Sequence, residues 1–144
     1  MSYFDKFSQE YADLMERAKD AFADGIKQFL LDNPEVKFVP IYGYTPEFND
    51  GEPCEFNAYI LDVVGEDAEG YMYGIPSELA DAFVEWSSQY EWDEYSRLFS
   101  PLNISAHPIQ NVLESMFGYY GFVVIYYLED GELKFVDGEY DCGY

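Results

Sequence analysis

Residues 121–136 read GFVVIYYLEDGELKFV, and this stretch decides the fold. Residues 121–128 predict a strand: after Gly121 every residue to Leu128 is β-branched, aromatic or aliphatic, which suits a pleated and buried surface. Glu129-Asp130-Gly131-Glu132 follows as a turn, because Asp-Gly tolerates the positive φ angles of a tight hairpin. Leu133 to Val136 then begins the return strand, and Asp137-Gly138 is a further turn signal. Neighbouring Tyr126 and Tyr127 must face opposite sides of such a strand, so one packs and the other is exposed or covered.

Upstream of this hairpin the apolar period changes to that of a helix. Ile109, Val112, Leu113, Met116 and Phe117 predict a helix over about 107–117, with Pro108 in its first turn and Gly118 at its end. Leu79, Phe83, Trp86 and Tyr90 share one face of a helix predicted over 78–98, with Ser77 as its N-cap. Residues 36–44 and 54–64 read as strands joined antiparallel through the turn-forming Asn49-Asp50-Gly51, and Pro40 marks an edge or bulge. Residues 65–70 form an acidic turn and Tyr71 to Gly74 a short extra strand. At the start, Phe4, Phe7, Tyr11, Leu14, Ala18, Phe22, Ile26 and Phe29 lay one apolar stripe along a helix over 3–31. Ser2 and Asp5 resemble a capping box, Gly25 is a point of weakness, and Asn33-Pro34 stops the helix. Strands grouped between helices, without strict alternation, predict an α+β class. The expected single domain (1–144) packs an antiparallel sheet of about four strands with a long N-terminal helix and two further helices.

The chain of 144 residues carries 29 Asp+Glu against 7 Lys+Arg, a formal charge of −22, yet 20% of it is aromatic. Acidic disordered chains are poor in aromatics, so the composition is that of a folded protein with an anionic surface. Seven cations cannot build a basic nucleic-acid site, and the charge opposes docking on anionic membranes. No apolar run reaches the ~18 residues of a membrane span, and the first residues do not read as a signal peptide. The charge is uneven. Residues 1–37 are almost balanced, with Lys6, Arg17, Lys19, Lys27 and Lys37 among eight acids, while only Arg97 and Lys134 offset the acids beyond.

Motifs for chemistry are missing. There is no GxSxG, P-loop, GxGxxG or HExxH, and His107 is the lone histidine, read as a surface or capping residue. Cys54 and Cys142 are expected as free thiols, two ligands short of a zinc site. The nearest calcium-loop pattern, Asp137-x-Glu139-x-Asp141-x-Gly143, has its glycine one place late. The expectation is a protein with no enzyme activity, cofactor or metal.

Two features remain. Glu78, Asp81, Glu85, Glu91, Asp93 and Glu94 fall within one stretch without a base, and Glu66, Asp67 and Glu69 precede it. A charge of magnitude ~2–8 already keeps a small domain dissolved, so −22 calls for a further reason. These nine carboxylates are the candidate partner-binding face. Tyrosine is the second feature: 15 residues, among them Tyr42, Tyr44, Tyr71, Tyr73, Tyr119, Tyr120, Tyr126, Tyr127, Tyr140 and Tyr144 in or beside predicted strands. Tyrosines among carboxylates suit a protein-binding surface.

The segment Phe48-Asn49-Asp50-Gly51-Glu52-Pro53-Cys54-Glu55-Phe56, with Tyr44-Thr45-Pro46 before it, resembles a stretch of small proteins of tailed bacteriophages. The likeness covers under a tenth of the chain and brings no catalytic residues. What it implies is an origin and a setting, the host cytoplasm. In composition and setting, not in sequence, such a protein is similar to phage antirestriction and anti-CRISPR inhibitors, some of which imitate DNA. The expected function is therefore a non-enzymatic inhibitor. It would bind a basic nucleic-acid-handling host protein, such as a defence nuclease or a transcription factor, and block DNA or RNA access without binding nucleic acid or membrane itself. The alternatives are an accessory phage protein, structural or regulatory, whose charge only solubilises it, and a small-molecule-binding or hydrolytic domain with a tyrosine and carboxylate pocket.

Overall fold

The computed structural model describes residues 3–45, 55–118 and 121–140. Its elements in chain order are α1 (Asp5–Asp32), β1 (Val39–Tyr44), β2 (Asn57–Ile60), a 3-10 turn (Gly65–Tyr71), α2 (Ser77–Ser87), α3 (Trp92–Leu98), α4 (His107–Phe117), β3 (Phe122–Glu129) and β4 (Glu132–Glu139). The strands form one antiparallel sheet in the order β2-β1-β3-β4. The class is α+β.

The β3–β4 hairpin closes through Asp130 and Gly131, both at positive φ as an Asp-Gly turn demands, and pairs Glu129 with Glu132. Residues 122–126 are all buried because helices cover both faces of the sheet. On one face Tyr126 meets Phe22 of α1 edge-on at 6.0 Å, and Phe122 stacks on Phe117 of α4 at 5.1 Å. On the other, Tyr127 and Phe38 reach Phe83 and Trp86 of α2. Tyr126 and Tyr127 thus take opposite sides, the first buried and the second half-buried.

Several boundaries depart from the sequence expectation. The helix expected over 78–98 is two. The Ser87 and Ser88 hydroxyls donate to the Val84 and Glu85 carbonyls, and the backbone leaves the helix before Glu91 starts a new one. The sheet therefore packs with three further α-helices, not two. Residues 65–70 form a 3-10 helix, and Tyr71 to Gly74 make no strand: the turn is ending there. Among the described residues of the expected 54–64, 57–60 pair as a strand. Asp137-Gly138 is not a turn. β4 runs on to Glu139, whose N–H donates to the Tyr73 carbonyl at 2.9 Å, and that carbonyl lies where a Gly138 side chain would be. α1 starts at Asp5 with Phe4 at its N-cap, passes Gly25 unbroken and is stopped at Asn33, whose side chain donates to the Phe29 carbonyl. Pro40 lies in an inner strand. Its carbonyl accepts from Leu61 N–H, so its missing donor faces the spot where β2 ends. The apolar stripe of α1 is buried only from Phe22 onward. Phe4, Phe7, Tyr11 and Leu14 lie exposed.

The loop with Asn49-Asp50-Gly51, the cysteines Cys54 and Cys142, Ser2, Asp141 to Tyr144, Tyr119 and Tyr120 fall outside the described residues.

Candidate functional site

The 3-10 turn lies against α2 because Gly65, at positive φ, donates its N–H to Ser87 Oγ at 2.9 Å and Ala68 is fully buried. That contact brings Glu66, Asp67 and Glu69 beside a helix that sends Phe83 and Trp86 inward and Glu78, Asp81 and Glu85 outward, all six carboxylates being exposed. Trp86 fixes the rotation of α2: its indole N–H donates to the Glu35 carbonyl at 3.1 Å, and its ring meets Phe38, Tyr90 and Tyr95. None of the six has a hydrogen bond or ion pair among the described residues.

The other three expected contact residues have local work. Glu91 and Glu94 form a capping box at the start of α3, each carboxylate accepting the other's backbone N–H. Asp93 pairs with Arg97 at 3.8 Å, one turn on. They remain exposed, but the break at 88–91 puts them on a separate helix from the acids of α2. Glu78 stands in the first turn of α2, where the helix dipole favours a carboxylate.

Part of the tyrosine surplus gathers on the α2 side of the sheet. Tyr42 lies 5.5 Å from Tyr59, 6.1 Å from Tyr71 and 5.0 Å from Tyr140, and Tyr71 stacks on Tyr140 with planes 6° apart. Partial burial, then the neighbouring Tyr140, Asp62, Tyr44 and Tyr59, push the Tyr42 hydroxyl up to about 12. It is a neutral donor at physiological pH. Burial raises Tyr95 and Tyr126 as well; Tyr95 donates to the Leu61 carbonyl, whereas the buried Tyr126 hydroxyl has no hydrogen-bond partner among the described residues.

An open cleft of about 600 Å³ lies along β2, and Tyr42, Tyr59, Asp62, Ser96, Asn103 and Gln110 are among the residues lining it. Gln110 closes the strand edge. Its amide accepts from Ala58 N–H at 2.8 Å and donates to the carbonyls of Ala58 at 3.0 Å and Ile104 at 2.7 Å, replacing the missing neighbour strand. Among the described residues Asp62 is the one carboxylate lining the cleft, and no histidine joins it. His107 is exposed in the first turn of α4. Among the described residues no group of three His, Cys, Asp or Glu side chains could hold a metal ion, and no helix is long and apolar enough to cross a membrane.

Tyr59, Asp62 and Gln110 drew no notice in the sequence because a strand edge has no local signature. The exposed residues of α1 belong to the apolar stripe that the helical period shows, but the period does not say which part of it is covered. Comparison of the chain with protein-family models, curated proteins and solved structures finds no match.

Proposed function

We propose that the protein is a non-enzymatic acidic inhibitor of phage anti-defence type, acting in a host cytoplasm on a basic, nucleic-acid-handling protein and blocking its access to DNA or RNA. The observation that carries this reading is the set of six exposed carboxylates, Glu66, Asp67, Glu69, Glu78, Asp81 and Glu85, none of which forms an ion pair among the described residues. From Glu78 to Glu85 the helix rises about 10 Å. A DNA duplex carries about six phosphate charges over that length. Three carboxylates on α2 and three on the adjoining turn approach that number, which one helix alone does not. A basic groove facing them would release counterions as it does on binding DNA, so affinity should fall steeply with salt.

The test uses Asp67, Glu78, Asp81 and Glu85, all changed to Lys. Proteins retained from a bacterial lysate by the wild-type chain at low salt are isolated, and their DNA or RNA binding is measured with added wild type or variant. Wild type should displace the nucleic acid with steep salt dependence, and the variant should fail, chiefly through slower association. A folded variant that competes as well as wild type at low salt would remove this face from the mechanism.

A further inference from the structure

We propose that the protein self-associates through the N-terminal half of α1, two copies crossing antiparallel as a short two-stranded coiled coil. Tyr3, Phe4, Phe7, Tyr11 and Leu14 are each at least half exposed, with Tyr3 at 101% and Phe4 at 70%. A run of about three helical turns with an exposed apolar face is marginal in water until something covers it.

The spacing points to a second helix. Residues 4, 7, 11, 14, 18 and 21 alternate steps of three and four, the heptad seam of a left-handed coiled coil. From Phe22 the apolar positions shift to 22, 26, 29 and 30, the set buried in this domain's own core. One helix thus carries two seams: the fold buries the second and packs Ala18 of the first partly against its core, leaving Phe7, Tyr11 and Leu14 exposed.

The pattern is also complementary to itself. Laid antiparallel about a dyad between Ala12 and Asp13, the seam sets Phe4 against Ala21, Phe7 against Ala18 and Tyr11 against Leu14 of the other copy, large against small at both ends. The same register sets Glu10 beside Arg17 of the other copy, twice by symmetry. Neither residue has an ion pair within its own chain among the described residues. Charge favours this site for a second copy. Residues 1–37 hold five of the seven cations, so two chains of charge −22 repel least here. α1 and the acidic face lie on opposite sides of the sheet, so pairing leaves both acidic faces outward. If those faces bind as proposed above, the dimer is bivalent.

Sedimentation of the full chain across roughly 1–100 μM tests this, because a dimer's mass depends on concentration. The expected mass at the upper end is twice 16.7 kDa. The Phe7→Glu/Leu14→Glu variant should sediment as a monomer while its near-ultraviolet dichroism, which reports the aromatic core, stays native. Arg17→Glu should weaken association about tenfold by placing like charges together at two symmetric positions, and adding Glu10→Arg should restore it to within about threefold. A monomer at all concentrations would overturn the proposal, including one that binds neutral phosphatidylcholine vesicles through the stripe. So would a dimer that survives Phe7→Glu/Leu14→Glu, or an Arg17→Glu defect that Glu10→Arg does not repair.

Discussion

Replacing Gln110 by Ala removes all three hydrogen bonds that its amide makes to Ala58 and Ile104. A neutral hydrogen bond contributes a net ~0.5–1.5 kcal/mol. Three give an upper range of roughly 1.5–4.5 kcal/mol, but the cleft is open and water will satisfy part of the exposed edge, so the expected loss is about 1–3 kcal/mol. With a urea slope of ~1–3 kcal/mol/M, the unfolding midpoint should fall by about 1 M. Gln110→Glu supplies the control. Its carboxylate still accepts from Ala58 N–H but faces the two carbonyl oxygens that the amide nitrogen used to serve. The folded state therefore favours the protonated acid and raises its pKa above the ordinary ~4.3. A raised folded-state pKa adds stability that is fully present below the unfolded value and lost as pH rises through the folded one. Measured against wild type at each pH, the Glu variant should be closest to normal near pH 4 and weakest near neutrality. An Ala variant within ~0.5 kcal/mol of wild type would mean that solvent serves this edge as well as Gln110 does. A Glu deficit independent of pH would show that the carboxyl does not meet those carbonyls.

Added sodium chloride should raise the melting temperature by several degrees, since the described residues hold only two ion pairs to be weakened against a charge of −22 to be screened; a fall would mean that attractive pairs dominate. Tyr42, with its pKa pushed up to about 12, should contribute stability below pH ~10 that is lost between about 10 and 12; Tyr42→Phe should remove that share of the alkaline loss and leave the part due to Tyr95 and Tyr126, with unfolding followed together with phenolate absorbance. Gly138→Ala pushes a methyl group into the Tyr73 carbonyl and the Gly74 backbone, and should cost about 1–3 kcal/mol in thermal unfolding.

The sequence alone determined the elements whose causes are local. The Asp130-Gly131 turn needs only two residues that tolerate positive φ, and the flanking β-prone residues then set the hairpin. The helix at 107–117 follows from apolar period and Pro108, and the end of α1 from Asn33. The exposure of the acids followed in the same way, because Phe83 and Trp86 claim the opposite face of α2. The tertiary structure decided what depends on distant partners. The Ser87 hydroxyl accepts from Gly65, and Trp86 bonds the Glu35 carbonyl, so the end of α2 is shaped by chain 22 and 51 residues away. Gln110 completes a strand 52 residues earlier. Gly138 reads as a turn by itself, yet lies within a strand because Tyr73 leaves no room for a side chain. The apolar stripe of α1 gives the clearest separation. Periodicity says which side of a helix is apolar, because that is a rotation of about 100° per residue. It cannot say how far the sheet extends beneath that side. The core buries α1 fully only from Phe22 onward, with Met15 and Ala18 partly packed before it, and the same physical preference that builds the core leaves Phe4, Phe7, Tyr11 and Leu14 exposed to whatever else can bury them.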